Sequence, residues 1–380
     1  NENISLLSAF FLAISPWHIQ FTRAQFEAGF MLFFCLLSLY IFHAKKLSTA
    51  TVTLSAFTLG LALNSYQGAK VWVPLFAAII IVFNFKSVIK LKQKLIFPII
   101  VLALFCLPFV LDFKNTLARG RTVSVFYNSK TPYMDFVKGY LSHYSGNFLF
   151  IYGDRIGRHG AAGMGTLYVF DFPLILLGLY ALVKSKSPHR NFLLAWLLLA
   201  PIPAATSTPA PHALRSITFL PLWSVLSALG VFRLLSLNIK FYIKIATVLA
   251  LVVIAVYNVA TYFHLYYKHY PIEKAIDWQY GYRDIVAYTT SVQNQYDSIS
   301  FTKSYGLPYI FVLFYSKYDP KTYQINSENK NKVGNINFFP PNLPSIGRGL
   351  LIQTEDKNSQ NKLLYQVYLR RDVIFEAREQ

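Results

Sequence analysis

Four polar clusters interrupt an otherwise apolar sequence, and each holds side chains able to bind an anion or move a proton. The first spans residues 15–27 and contains Trp17, His18, Arg23 and Glu27. Arg23 and Glu27 are spaced i, i+4, so a helix would put them on one face. They then form either an ion pair closing a helix end, or an anion-binding cation with the acid that orients it. Trp17 stands where an interfacial aromatic anchor is expected. The second cluster, residues 64–70, ends in Lys70 at the opening of an apolar run. There a lysine either snorkels to lipid headgroups or binds a phosphate as a point charge. The third, residues 147–165, places Asp154, Arg155, Arg158 and His159 among glycines. Glycine lets backbone amides approach a phosphate. The P-loop spacing is absent, and a plain surface connection is the alternative. Asp171 follows as a lone acid at the end of an apolar run, a position that favours a functional role. The fourth, residues 201–216, holds Pro201, Pro203, Pro209 and Pro211, then His212 and Arg215. The prolines cannot extend a helix, which suits a cavity wall. His212 and Arg215, at i, i+3, are expected to open the next helix, where both can donate to phosphate oxygens beside its positive end.

The elements that must position these residues follow from composition. Of 380 residues, 54% are hydrophobic, 17% aromatic and only 14% charged. A soluble domain carries nearer a quarter charged residues, so the chain reads as an integral membrane protein. Nine apolar segments can be drawn, at about 4–15, 25–42, 50–63, 71–85, 95–111, 167–183, 192–205, 213–232 and 241–264. Every second connection is basic: Lys45 and Lys46; Lys86, Lys90, Lys92 and Lys94; Lys184, Lys186 and Arg190; Arg233, Lys240 and Lys244. No acid accompanies them. The positive-inside rule puts these connections in the cytoplasm and the four polar clusters together on the outer face. The same rule accounts for the net charge of +19 without nucleic acid. The expected fold is an α-helical, multi-pass membrane domain over residues 1–266 and an extracytoplasmic α/β domain over 267–380. In the second, residues 283–293 read as a helix, 298–301, 350–353 and 364–368 as strands, and 326–348 as loop. Cys35 and Cys106 lie inside apolar runs and read as small hydrophobes. No cysteine–histidine metal spacing, HExxH or GxSxG is present.

Taken in order, the clusters resemble those of the GT-C membrane glycosyltransferases, on the branch of protein O-mannosyltransferases and aminoarabinose transferases, most of all bacterial family 39-like members. The stretches that carry the resemblance are residues 15–30 (SPWHIQFTRAQFEAGF), 65–75 (SYQGAKVWVPL), 148–168 (FLFIYGDRIGRHGAAGMGTLY) and 211–221 (PHALRSITFLP). Residues 278–284 (WQYGYRD) and 308–315 (PYIFVLFY) fit as well. The resemblance implies transfer of a sugar from a polyprenyl-phosphate donor to an acceptor at the outer membrane face. It implies a catalytic acid in a first outer loop and cations that hold the departing lipid phosphate; a divalent cation is compatible with it. In relatives that loop precedes the point where this chain starts, so the chain reads as N-terminally truncated and its main base is expected upstream of Asn1. Within the chain Glu27 and Asp171 are the substitutes. Arg23, Lys70, Arg158, His159, His212 and Arg215 are the candidate donor-binding residues. Two rival readings are a lipid or anion transporter or flippase, which would show repeated broken helices in both halves, and a non-catalytic envelope scaffold, which would tolerate loss of the outer-face bases.

Overall fold

The computed structural model describes residues 2–44, 47–161, 163–325, 330–339 and 349–379. Lys45, Lys46 and parts of the expected 326–348 loop lie outside the described residues. The chain divides into two compact units, Asn1–Tyr266 and Tyr267–Gln380.

The first unit is helical. Among the described residues, three helices are long and apolar enough to cross a membrane: Phe85–Leu111, Ile217–Leu235 and Phe241–Glu273. A fourth would be made by Glu2–Ile14 and Pro16–Arg23, which are bent by 61° at Ser15. This corrects the expected nine. Other apolar runs end early as helices, among them Glu27–His43 and Ala69–Phe83. They fall short of the ~20 residues that span a hydrocarbon core. The lysines at 86, 90, 92 and 94, expected in a loop, instead lie within the Phe85–Leu111 helical stretch. On Phe85–Leu111 and Phe241–Glu273 apolar side chains such as Phe97, Ile100, Leu104, Phe241, Val253 and Val256 are exposed. Surface of this kind is compatible with a lipid surrounding.

The helices Asp171–Lys184 and Leu220–Leu235 cross closely. A Cβ added at Gly178 would lie 1.9 Å from the Leu226 carbonyl oxygen, and one at Gly230 1.9 Å from that of Leu174. Two glycines thus face the opposite backbone reciprocally, which is how helices approach closely without a large side chain between them. Asp171, in the first turn of its helix, is buried there. Its Oδ1 accepts from Ser227 Oγ at 2.8 Å and its Oδ2 from the Tyr168 amide at 3.3 Å.

The second unit carries a six-stranded mixed sheet of order β2-β3-β1-β4-β6-β5. The strands are β1 (Ser298–Thr302), β2 (Lys332–Val333), β3 (Ile336–Phe339), β4 (Gly349–Gln353), β5 (Lys362–Leu369) and β6 (Asp372–Glu379). β1 pairs in parallel with β3 and β4, and β6 runs antiparallel to β4 and β5. The helix Tyr282–Val292 packs on it through Tyr282, Ile285 and Val286. The helix and β1, β4 and β5 stand where the sequence places them. β2 and β3 fall in the stretch expected as loop, where Asn and Gly flank only short apolar runs. β6 was hidden by its charges, yet its Ile374, Phe375, Glu376 and Ala377 are all buried.

Glu376 explains how a charged strand can be internal. Its Oε1 accepts from Arg378 Nε at 2.7 Å, Gln353 Nε2 at 2.9 Å and the Asp356 amide at 3.1 Å. Its Oε2 accepts from Arg378 Nη2 at 3.1 Å. Removing one partner of such a pair strands the other. Glu376→Ala is therefore expected to destabilise this unit by about 3 kcal/mol. Chemical unfolding monitored by tyrosine fluorescence checks this; a change below about 1 kcal/mol contradicts the network.

Candidate functional site

The site is built where the proline-rich stretch meets the long polar connection 112–166. The two are joined by a short antiparallel bridge between Ser124 and Ser207. The Val125 amide donates to the Thr206 carbonyl at 3.0 Å, and the Thr208 amide to that of Val123 at 2.8 Å. Against expectation Pro201 and Pro203 do not stop the helix, which runs on as Ile202–Ala205; beyond it, Pro209 and Pro211 bar further helix, so the segment borrows these partners. Arg215 locks it further: Nη1 donates to Ser207 Oγ at 2.9 Å and to the Thr208 carbonyl at 2.7 Å. Its side chain also hydrogen-bonds Tyr66.

Beside Arg215 opens a cavity of about 560 Å³. Among the described residues four cations line it, Lys70, Arg119, Arg121 and Arg215, and no carboxylate does. Phe113, Leu117 and Val123 supply an apolar wall. Lys70 Nζ donates to Gln67 Oε1 and sits 4.7 Å from the Phe109 ring centroid. Arg121 stands 4.9 Å from the Tyr127 ring centroid. Excess positive charge beside low-dielectric walls concentrates anions, and an apolar wall beside it suits an anion with a hydrocarbon tail.

A second group lies deeper. Asp154 Oδ2 accepts from His159 Nδ1 at 2.7 Å and from the Ala213 amide at 2.7 Å; Oδ1 accepts from the Ile156 amide at 2.9 Å. His212 Nδ1 is 3.9 Å from the same Oδ2. His143 completes the group. Its Nδ1 faces the Gly139 carbonyl at 2.6 Å and its Nε2 accepts from the His212 amide at 3.1 Å. That pattern requires Nδ1 to carry the proton and Nε2 to be bare. Burial pushes His143 down to about 4, against a weaker upward pull from the Gly139 hydrogen bond. Burial, then the Arg215 charge, pushes His212 down to about 3. Burial alone would raise Asp154, but the His159 hydrogen bond and charge and the two amides outweigh it and hold the carboxyl below its usual range. At neutral pH Asp154 is thus ionised and His143 and His212 are uncharged.

The six expected cations therefore separate. Lys70 and Arg215 share the cavity. His159 and His212 surround Asp154. Arg158 is exposed, and it is its carbonyl that is engaged, by Gln20 Nε2 at 2.7 Å. Arg23 lies with its guanidinium 5.2 Å from the Tyr266 ring centroid. The helix expected to carry Arg23 and Glu27 on one face breaks between them, since Pro16–Arg23 ends in a turn and Glu27–Ala44 begins anew, with Gln25 at φ 52°. Glu27 is exposed. Helix does not start at His212 either: residues 213–216 form turns and the α-helix begins at Leu220, where Pro221 suits its first turn. The glycine-rich stretch does not offer its amides to a ligand at Ile156, because Asp154 takes that amide. Gly165 is needed for packing, since a Cβ there would come within 2.4 Å of the Leu149 carbonyl. Trp17, expected at an interface, is buried and donates through Nε1 to the Ala213 carbonyl at 3.0 Å. Sequence reasoning missed Arg119, Arg121 and His143. The two arginines read as ordinary loop charges, and a lone histidine carries no pattern at all.

Comparison with known proteins finds no matching family model, no similar curated protein and no similar solved structure. The reading of this site rests on its geometry and on the residues themselves.

Proposed function

We propose that the chain is a membrane glycosyltransferase that takes its sugar from a polyprenyl-phosphate donor, with the cationic cavity as the seat of the lipid phosphate. The observation that carries this reading is the convergence of Lys70, Arg119, Arg121 and Arg215 on one cavity with an apolar wall and, among the described residues, no carboxylate. A departing polyprenyl phosphate gains charge as the glycosidic bond breaks. Fixed cations lower that barrier because they need not reorganise. Long apolar helices support a hydrocarbon setting for the isoprenoid tail, and the resemblance of the four polar clusters to GT-C transferases supplies the reaction class. In this reading the bundle is multi-pass in the cell membrane, and the cavity and the Tyr267–Gln380 unit are extracytoplasmic. Of the two substitute acids, Glu27 is the exposed one, at the start of its helix. Asp171 already spends both oxygens on Ser227 and Tyr168.

The test compares polyprenyl phosphate with the polyprenyl alcohol of equal length, by equilibrium binding to the purified protein in nanodiscs. Expected is a preference of about 100-fold for the phosphate, near 2.7 kcal/mol, lost at high salt. Sugar transfer from the corresponding donor to an acceptor lipid or peptide pool is expected under the same conditions. Equal affinity for phosphate and alcohol would sink the reading.

A further inference from the structure

We infer that Asp154, His159 and His212 form a zinc site that clamps the Gly153–His159 turn to the proline-rich segment. One oxygen and two ring nitrogens from these residues all lie within 4.8 Å of one another. His159 Nδ1 is 2.7 Å and His212 Nδ1 3.9 Å from Asp154 Oδ2. Ligand atoms held about 2.0–2.1 Å from a tetrahedral zinc stand about 3.3 Å apart. Those two distances fall on either side of that spacing, and the third pair, within 4.8 Å, must close by up to about 1.5 Å, so a movement of the two rings toward each other converts the cluster into a coordination set. One carboxylate and two histidines with one position left for water is a donor set zinc accepts.

The surroundings hold these donors in place. The Ile156 amide bonds Asp154 Oδ1 and the Ala213 amide bonds Oδ2, which fixes the carboxylate and leaves the second lone pair of Oδ2, now taken by His159, for the metal. His143 bonds the His212 amide and so holds the backbone from which that ring projects. Groups that orient ligands in this way are part of what a metal site needs. Two changes accompany binding. The proton that His159 Nδ1 donates to Asp154 leaves for solvent or for Nε2, and the metal takes its place. The Arg215 amide gives up its contact with His212 Nδ1, which at 3.4 Å is too long to hold it.

The role proposed is to join two segments: zinc would tie residues 154–159 to residues 212–213, and Arg215 of the cationic cavity follows two residues later. The cavity bordering Asp154 and His159 is about 10 Å³, the room of the one water that would complete the coordination. Nothing in this requires the transferase reading, and the two stand or fall by different measurements.

The test uses protein purified without a polyhistidine tag, stripped with chelator and titrated with zinc chloride. Plasma mass spectrometry is expected to find one zinc per chain, with Kd below about 1 µM. Zinc should raise Tm by at least about 3 °C, and cobalt in its place should give the intense visible bands of tetrahedral coordination. His159→Ala and His212→Ala are expected to weaken binding at least about 100-fold, while His189→Ala, an exposed histidine outside the cluster, leaves it unchanged. A wild-type Kd above about 100 µM with no zinc-dependent Tm shift overturns the proposal, whatever the variants do. Undiminished uptake by a folded double variant overturns it too.

Discussion

Gly178→Ala is expected to cost the helical unit more than about 4 kcal/mol and to abolish its cooperative unfolding. The added methyl would stand 1.9 Å from the Leu226 carbonyl oxygen, and that atom is backbone. No rotamer change can move it, so the helices Asp171–Lys184 and Leu220–Leu235 must part. Parting them also stretches the 2.8 Å bond from Ser227 to Asp171 and leaves a buried carboxylate half-satisfied. Gly230→Ala should do the same from the other side, against the Leu174 carbonyl. The control is Gly29→Ala, in a helix where nothing lies within 4 Å of the new methyl. That change should be neutral or stabilising by up to about 1 kcal/mol. Thermal and SDS unfolding of the three purified variants decides the matter. If Gly178→Ala is as stable as Gly29→Ala, the crossing is not as close as described.

Loss of Lys70 and Arg215 together should remove about 1,000-fold of affinity for polyprenyl phosphate, near 4 kcal/mol, and leave affinity for polyprenyl alcohol within about threefold. Among the described residues neither cation makes an ion pair, although the Asp112 charge acts on Lys70 and that of Asp154 on Arg215. Lys70 has Gln67 and a ring face, and Arg215 has a hydroxyl, a carbonyl and Tyr66. Both charges are therefore available to a ligand in the cavity. The single variants should differ. Lys70→Ala affects chiefly the ligand, because the Phe109 ring face is a weak tie to a second helix. Arg215→Ala also frees Ser207 and Thr208, so stability falls as well. Arg215→Lys restores the charge but cannot reproduce a fork that reaches several acceptors, and it should recover only part of the affinity. Binding isotherms at two salt concentrations separate these cases. Affinity for the phosphate unchanged in the double variant removes the cavity from consideration.

What could be read from residue order follows from local chemistry. The apolar content and scarcity of charge point to helices in a lipid setting, and the long runs at 95–111 and 241–264 are helical in the structure. The short apolar stretches of the tail fall in β1, β4 and β5 because a run of that length between turn residues is a local mark of a strand. Lys70 and Arg215 could be picked out because each base sits at the edge of an apolar run. Length misled where helices were short: an apolar run says nothing of whether a turn or a proline will end it before it spans a membrane. The tail strand Asp372–Glu379 misled because its central charge is paired, and pairing depends on Arg378 and on the neighbouring strand.

The amino-acid order by itself determined the apolar, helical character of the first part of the chain, the mixed character of the tail, and where the positive charges stand. Only the tertiary structure decided which of those side chains meet. It brought Arg119 and Arg121 to Lys70 and Arg215 through the bridge between residues 124 and 207, and it withdrew His159 and His212 to the Asp154 carboxylate. The reason is physical. Propensity, hydrophobic period and charge at chain ends act over a few residues, whereas a site is closed by hydrogen bonds between segments distant in the chain. Those bonds form because buried amides and a buried carboxylate must find partners wherever the fold supplies them.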